Sequence, residues 1–229
     1  MQNYINYFTE IEERFQRRRG SGLLLSTLDW ALIETWKDAG IPLEAVLRGI
    51  DSTFDAYDRR PSKTKKVNSL GYCSQEVLAA AEDMKEAAVG VSRPDTPAVG
   101  LEAQDIAAFF SNNAMKLRQA QLPAPAEAIS RECAATLEQL AENIKTTSSP
   151  LRLEDLERHL TILEEKLLAA LTMSAPEAAL LGIRGEAERE IAPYRSKMPA
   201  AQIEQLLKQF TSKRLLEQAG IPRLSLFYM

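Results

Sequence analysis

The helical character of the chain is set by residues 40–54, Gly-Ile-Pro-Leu-Glu-Ala-Val-Leu-Arg-Gly-Ile-Asp-Ser-Thr-Phe. The apolar residues of this stretch recur at intervals of three and four, which is the spacing of one face of an α-helix. They are Leu43, Val46, Leu47, Ile50 and Phe54. Pro42 suits the first helical turn because its fixed φ is close to that of a helix. The pattern predicts an amphipathic helix that opens at Pro42.

Two further helices are predicted before this stretch. Residues 3–19 carry an apolar face and end in three arginines, which suit the negative end of a helix dipole. The next helix begins at Ser26 or Thr27, because Ser26 and Asp29 have the spacing of a capping box. Only about four residues, 39–42, separate this helix from the one that follows, so the two must pack as a tight helix-turn-helix pair.

The rest of the chain divides at residues 90–100, which contain two glycines and two prolines without periodicity and are typical of a linker. A fourth helix is predicted from residue 70. Beyond the linker, the chain is rich in Ala, Leu, Glu and Gln and predicts about five helices with a proline at each break. We therefore expect an all-α protein with an N-terminal helix-turn-helix-containing domain at 1–89 and a C-terminal antiparallel helical bundle at 101–229. The apolar tail, 221–229, is not helical and could dock on its own fold or extend to a partner.

Composition and motifs argue against most kinds of active site. The 229 residues include two cysteines and one histidine, too few for a disulfide framework, a four-ligand zinc site or most acid-base catalysis. The sequence has no phosphate-binding glycine loop and no nucleophile-elbow motif. No enzyme activity, metal or cofactor is therefore expected, although a carboxylate site assembled from several helices has no sequence signature. No apolar run is long enough for a membrane span and no signal peptide is recognisable, so we expect a cytoplasmic protein.

Several single residues have predicted structural roles. Cys73 and Cys133 fall on apolar stripes and are expected to be buried and unreactive. His159 lies at the edge of an apolar stripe and is expected at the surface or at its boundary. The adjacent acids Glu164 and Glu165 point to different sides of their helix, so we expect both to be solvated.

Positive charge is concentrated between the third and fourth helices. Residues 1–75 have 11 cations and 10 acids, a net charge of +1, whereas residues 76–229 have 17 and 22, a net charge of −5. Residues 59–66 contain no acid, lie between Tyr57 and Tyr72, and include five cations: Arg59, Arg60, Lys63, Lys65 and Lys66. These five are the candidate nucleic-acid-binding residues, since five phosphate contacts would give binding a log–log salt slope of about −4.5. The alternative is a solvated loop without a binding role.

Short segments between residues 20 and 78 share a further pattern. They are Gly-Ser-Gly-Leu-Leu-Leu-Ser-Thr-Leu-Asp at 20–29, Ile-Glu-Thr-Trp at 33–36, Gly-Ile-Pro-Leu-Glu-Ala-Val-Leu-Arg-Gly-Ile at 40–50, and residues 68–72 with Val77 and Leu78. Together they resemble the DnaD-type domains of bacterial and phage replication-initiation proteins. The resemblance implies a compact helical unit that contributes to DNA binding and assembly. It further implies a cytoplasmic DNA-associated helper without catalytic activity.

Two functions remain open from the sequence. One is a DNA-associated helper that binds the nucleic-acid backbone through the basic connection. The other is a helical adaptor or scaffold without nucleic-acid binding, in which the C-terminal bundle and tail bind a protein partner or a second copy of the chain. A second basic patch, residues 17–19, could share a face with the first. The first function requires that the cations of the connection are not neutralised by carboxylates of the same fold.

Overall fold

The structure is a computed structural model that describes residues 7–20, 24–60, 66–87, 102–146, 152–226 and 229. None of these residues lies in a β-strand, so the all-α class is confirmed for the described part of the chain. Its α-helices are α1 (Tyr7–Arg19), α2 (Thr27–Asp38), α3 (Leu43–Asp58), α4 (Ser74–Ala87), α5 (Ala103–Gln119), α6 (Ala126–Thr146), α7 (Leu153–Ser174), α8 (Glu177–Ile191) and α9 (Ala200–Ala219). Two 3₁₀ segments, Leu70–Cys73 and Ala192–Lys197, precede α4 and follow α8.

The predicted helix boundaries are confirmed where local signals set them. The Ser26 hydroxyl accepts a hydrogen bond from the backbone N–H of Asp29, and the Asp29 carboxylate accepts one from the backbone N–H of Ser26. This is a complete capping box at the start of α2. The connection from α2 to α3 runs through Gly40, whose φ of 69° lies in the left-handed region that glycine adopts without strain. Three of the four proline-containing breaks predicted after residue 101, at 122–125, 174–176 and 198–199, also separate helices as predicted. The fourth, at 148–150, lies outside the described residues.

The chain divides into two compact units. The first is Met1–Ala98 together with Ile183–Thr211, and the second is Val99–Gly182 together with Ser212–Met229. The predicted linker at 90–100 lies outside the described residues. The predicted C-terminal domain at 101–229 differs from this division, because residues 183–211 belong to the first unit. The physical reason is side-chain packing between distant parts of the sequence, as the ring of Tyr194 lies against Gly71.

In the first unit, α3 packs against both α1 and α4. The large side chains of its core, among them Phe15, Trp36 and Ile50, are fully buried. Gly49 allows α3 to lie very close to α4, since a Cβ at this position would be 2.5 Å from the Cα and N atoms of Val77. The apolar face predicted for residues 43–54 therefore faces the core, and a glycine within it sets the distance between two helices.

In the second unit, α5 and α7 both pack on α6 around a continuous apolar core. Residues 221–226 join this core, and their backbone is held by two carboxylates of α7. Glu164 Oε2 accepts from the N–H of Leu224 at 2.6 Å, and Glu157 Oε2 accepts from the N–H of Leu226 at 2.9 Å. The described part of the tail therefore docks on its own fold, which is the first of its two predicted arrangements.

The expectation that Glu164 is solvated is wrong. Its side chain is 12% exposed and forms an ion pair with Arg223, with 2.9 Å between Oε1 and Nε. The partner lies 59 positions later in the sequence, so no local pattern indicated the burial of this carboxylate. His159 is exposed as predicted, and its Nδ1–H donates to the carbonyl of Asp155 at 2.7 Å.

A membrane span by a single helix is not found in the described part of the chain. One pair of helical segments is long and apolar enough when taken together, but a sharp bend separates its two members, Leu153–Ser174 and Glu177–Lys197.

Candidate nucleic-acid interface

Three of the five candidate residues lie in the described part of the chain, and all three side chains are exposed. Arg59 ends α3, with its N–H bonded to the carbonyl of Asp55. Arg60 follows it, and Lys66 lies on the extended segment that leads to the first 3₁₀ turn. Lys63 and Lys65 lie outside the described residues.

The described cations of the connection differ from several other cations of the first unit, which have carboxylate partners. Among the described residues, none of Arg59, Arg60 and Lys66 is within 4.0 Å of a carboxylate oxygen. By contrast, Arg14 pairs with Asp51 at 2.8 Å, and Arg18 pairs with Asp55 at 2.5 Å. Arg59, Arg60 and Lys66 are therefore not neutralised by the described acids of the fold.

The second basic patch is paired within the fold. The hydrogen bond to Asp55 raises the pKa of Arg18, whose guanidinium also contacts Asp51 and Asp58. Arg17 lies 3.9 Å from Glu13, and the guanidinium of Arg19 lies over the ring of Phe15 at 5.1 Å from its centroid. Because α3 supplies three aspartates to this region, the patch at 17–19 adds little to the positive surface.

Two cations of the connection, Arg60 and Lys66, line a cleft with a volume of about 320 Å³. Its lining contains three cations, two tyrosines and no carboxylate: Thr53, Tyr57, Arg60, Lys66, Val67, Tyr72, Pro193 and Lys197. We call these eight residues the cationic cleft. Several unpaired cations with adjacent aromatic rings are the groups that bind nucleic-acid phosphates and bases.

One wall of the cationic cleft comes from the second 3₁₀ segment. The Nζ of Lys197 lies 5.1 Å from the centroid of the Tyr72 ring, within the range of a cation–π contact. The edge of Tyr72 meets the ring of Tyr194, with centroids 5.0 Å apart and an angle of 89°. No sequence signal indicated Lys197, because it lies 131 positions after Lys66 and outside any basic run.

The other wall is held in place by Asp29, a carboxylate that is 2% exposed. Its Oδ1 accepts from the hydroxyl of Ser69 and from the N–H of Leu70, both at 2.7 Å. Its Oδ2 accepts from the N–H and the hydroxyl of Ser26. One side chain thus caps α2 and fixes the segment that leads to Tyr72. The capping role was predicted from the sequence, whereas the link to residues 69–70 was not.

Gly71 makes the packing of the two walls possible. A Cβ at this position would lie 2.7 Å from the nearest atom of the Tyr194 ring, closer than side chains pack. Burial raises the pKa of the Tyr194 hydroxyl, against the opposing effect of a hydrogen bond with Ser69. Tyr194 therefore acts as a neutral packing residue behind the cleft.

The two cysteines are buried thiols, as predicted. Burial raises the pKa of Cys73 to about 12 and that of Cys133 to about 11. Both remain protonated at neutral pH, so neither has the thiolate character of a reactive cysteine. Within the described ranges, no group of three or more His, Cys, Asp or Glu side chains is placed to hold a metal ion.

Comparison with known proteins gives one match. A family model described as "Uncharacterised protein" matches residues 6–93. The match includes α1 to α4 and one wall of the cationic cleft, but not the wall at 193–197. No curated protein and no solved structure matches the chain.

Proposed function

We propose that the protein is a non-enzymatic, DNA-associated helper that binds the nucleic-acid backbone through the cationic cleft. One observation carries the proposal. Arg60, Lys66 and Lys197 line the same cleft, and no described carboxylate pairs with them, although acids of the same unit pair with Arg14 and Arg18. Cations grouped in a cleft create a local positive potential. A bound phosphate backbone neutralises these charges, whereas water only screens them.

The architecture that we propose follows the sequence analysis. The α2–α3 pair, with its four-residue connection, forms a helix-turn-helix unit of the DnaD type, and the second unit forms an antiparallel bundle. The segments at 33–36 and 40–50 that resemble DnaD-type domains correspond to the end of α2, the turn and much of α3. Tyr72, at the end of the further segment 68–72 that carries the resemblance, lines the cationic cleft. A cytoplasmic location suits two buried cysteines that form no disulfide.

The proposal is tested by fluorescence anisotropy with a labelled DNA duplex at low salt. The cleft variant changes three residues together: Arg60→Ala, Lys66→Ala and Lys197→Ala. Because each substitution removes a phosphate contact, we expect affinity to fall by about tenfold or more. The matched control removes three exposed cations of the same unit that already have carboxylate partners: Arg17→Ala, Arg48→Ala and Lys85→Ala. Equal affinities of the cleft variant and the wild type would refute the proposal.

The second candidate function is a protein–protein adaptor. It is favoured by large apolar side chains exposed on the second unit, since Ile162 is 55% exposed and Met173 is 80% exposed. They lie eleven residues apart on α7, about three helical turns, and therefore on the same face. If this face binds a second copy of the chain, Ile162→Glu with Met173→Glu will lower the mass measured by light scattering at high protein concentration. The DNA-binding function predicts no change in anisotropy for this variant.

A further inference from the structure

One side of α7, in the second unit, is an exposed stripe that points away from the core. The core buries Leu160, Leu167 and Leu171 of this helix. Residues on the opposite side are offset from these three by about half a helical turn. Four exposed residues, at spacings of four, three and four, occupy that side: Arg158, Ile162, Glu165 and Ala169. We call these four residues the outer stripe of α7.

The outer stripe has one large apolar residue between two opposite charges. Ile162 is 55% exposed, and it lies four residues after Arg158 and three before Glu165. The side chain of Arg158 is 72% exposed, and its contact with Asp155 is long, at 3.6 Å. The carboxylate of Glu165 is not within 4.0 Å of any described cation. Both charges are therefore accessible to a partner.

The order of these charges selects one way of pairing two copies of the helix. In a parallel pair in register, Arg158 would lie beside Arg158 of the second copy, and the two Glu165 side chains would also meet. In an antiparallel pair whose twofold axis passes beside Ile162, each Arg158 lies level with Glu165 of the other copy. Both charges are about 5 Å from the axis, because the seven residues between them span about 10 Å. One symmetric contact thus forms two ion pairs around an Ile162–Ile162 contact.

The residues beside the outer stripe are compatible with this alignment. Glu154 would lie level with Ala169 of the second copy, and Asp155 would lie level with Leu168. Ala169 is small and uncharged, so it neither repels a carboxylate nor keeps the helices apart. In this alignment no carboxylate of α7 lies level with another carboxylate, and the pairing has no like-charge contact to offset the two ion pairs.

We propose that a second copy of the chain docks on the outer stripe of α7 in antiparallel orientation, with two Arg158–Glu165 ion pairs around Ile162. The inference rests on the second candidate function, to which it adds the partner and the chemistry of recognition, and it is independent of DNA binding. A contact built from exposed ion pairs and one apolar residue per copy is weak. We therefore expect dimers at high protein concentration.

Charge reversal tests the orientation. Because the contact is symmetric, Arg158→Glu alone and Glu165→Arg alone each turn two attractive pairs into two repulsive ones. We expect each variant to raise the dimer dissociation constant, measured by light scattering, by about tenfold or more. An equimolar mixture of the two variants should regain wild-type association, since opposite charges face each other at both sites of a mixed dimer. The matched control is Arg131→Glu on α6, because Arg131 is 67% exposed and contacts an acid one turn away, as Arg158 does.

Cysteine cross-linking tests the position of the axis. Both native cysteines are buried, so an introduced surface cysteine is the exposed thiol. Ile162→Cys places this thiol beside the twofold axis, and we expect mild oxidation to link two copies through a disulfide. Met115→Cys is the control, since Met115 is an apolar residue of α5 with a similar exposure of 51%. It should give little linked product.

The outcomes separate this inference from the function on which it rests. A wild type that stays a single chain at every concentration would overturn both the antiparallel contact and self-association through α7. Wild-type association that neither charge reversal weakens, or that the mixture of variants does not restore, would overturn the antiparallel contact alone. Equal cross-linking of Ile162→Cys and Met115→Cys would also overturn it.

Discussion

Replacement of Asp29 should destabilise the first unit, because this carboxylate links the start of α2 to the segment that leads to the cationic cleft. Its carboxylate accepts four hydrogen bonds, two from Ser26 and one each from Ser69 and Leu70. Loss of the reciprocal cap costs about 1 kcal/mol. A buried Leu70 N–H without an acceptor costs about 1–3 kcal/mol more. The bonds share one carboxylate and their effects are not additive, so we expect Asp29→Ala to lower the free energy of unfolding by about 3 kcal/mol.

Urea unfolding followed by tryptophan fluorescence measures this change in the first unit alone, because both tryptophans lie in α2. Asp83→Ala is the matched control, since Asp83 is 66% exposed and lies 3.8 Å from its partner Arg48. Its effect should stay within about 0.5 kcal/mol. Asp29→Asn should lie between the two, because its carbonyl oxygen can still accept from Ser69 and Leu70. If Asp29→Ala costs no more than Asp83→Ala, the role assigned to the Asp29 network is refuted.

Three further predictions concern packing, the tail and pH. Gly49→Ala should destabilise the first unit by about 1–3 kcal/mol, because the new Cβ meets the backbone of α4. Gly182→Ala, with open space around it, should instead stabilise α8 by about 0.5–1 kcal/mol. Urea unfolding followed by circular dichroism measures both changes. Glu164→Ala removes the ion pair with Arg223 and the acceptor of the Leu224 N–H, so limited proteolysis should cut the C-terminal tail faster than in the wild type. An unchanged rate would contradict the docking. In the folded protein the pKa of the Cys73 thiol is raised from 9.0 to about 12. The stability that comes from keeping this thiol protonated is therefore complete below pH 9 and is lost as the pH rises towards 12. The unfolding free energy of Cys73→Ala should depend less on pH over this range than that of the wild type.

The helices could be predicted from the sequence because their signals are local. Apolar residues at intervals of three and four predicted α3, and the capping box predicted the start of α2. Prolines predicted the described breaks at 122–125, 174–176 and 198–199. Each of these signals acts within a few residues of the chain, where propensity and capping decide the structure. Exposure of the described cations Arg59, Arg60 and Lys66 likewise follows from their place on a polar connection.

The features that the sequence did not indicate all depend on contacts between distant residues. Residues 183–211 join the first unit because Tyr194 fits against Gly71, and this complementarity of an aromatic ring and a glycine has no sequence pattern. Lys197, three residues after Tyr194, lines the cationic cleft and lies over the ring of Tyr72. Glu164 is buried because Arg223 and the tail cover it. Side-chain pairing over such distances is a property of tertiary packing, which periodicity and propensity do not encode.

The central claim is that Arg59, Arg60, Lys66 and Lys197 meet a polyanion, and the salt dependence of DNA binding tests it most directly. Four phosphate contacts predict that the logarithm of the binding constant falls against the logarithm of salt concentration with a slope of about −3.6 or steeper. Replacing Arg60, Lys66 and Lys197 by alanine should make the slope shallower by about 2.7, while the control variant with three paired cations removed keeps the wild-type slope. An identical slope for the wild type and the cleft variant, or no binding to DNA at low salt, would contradict the account.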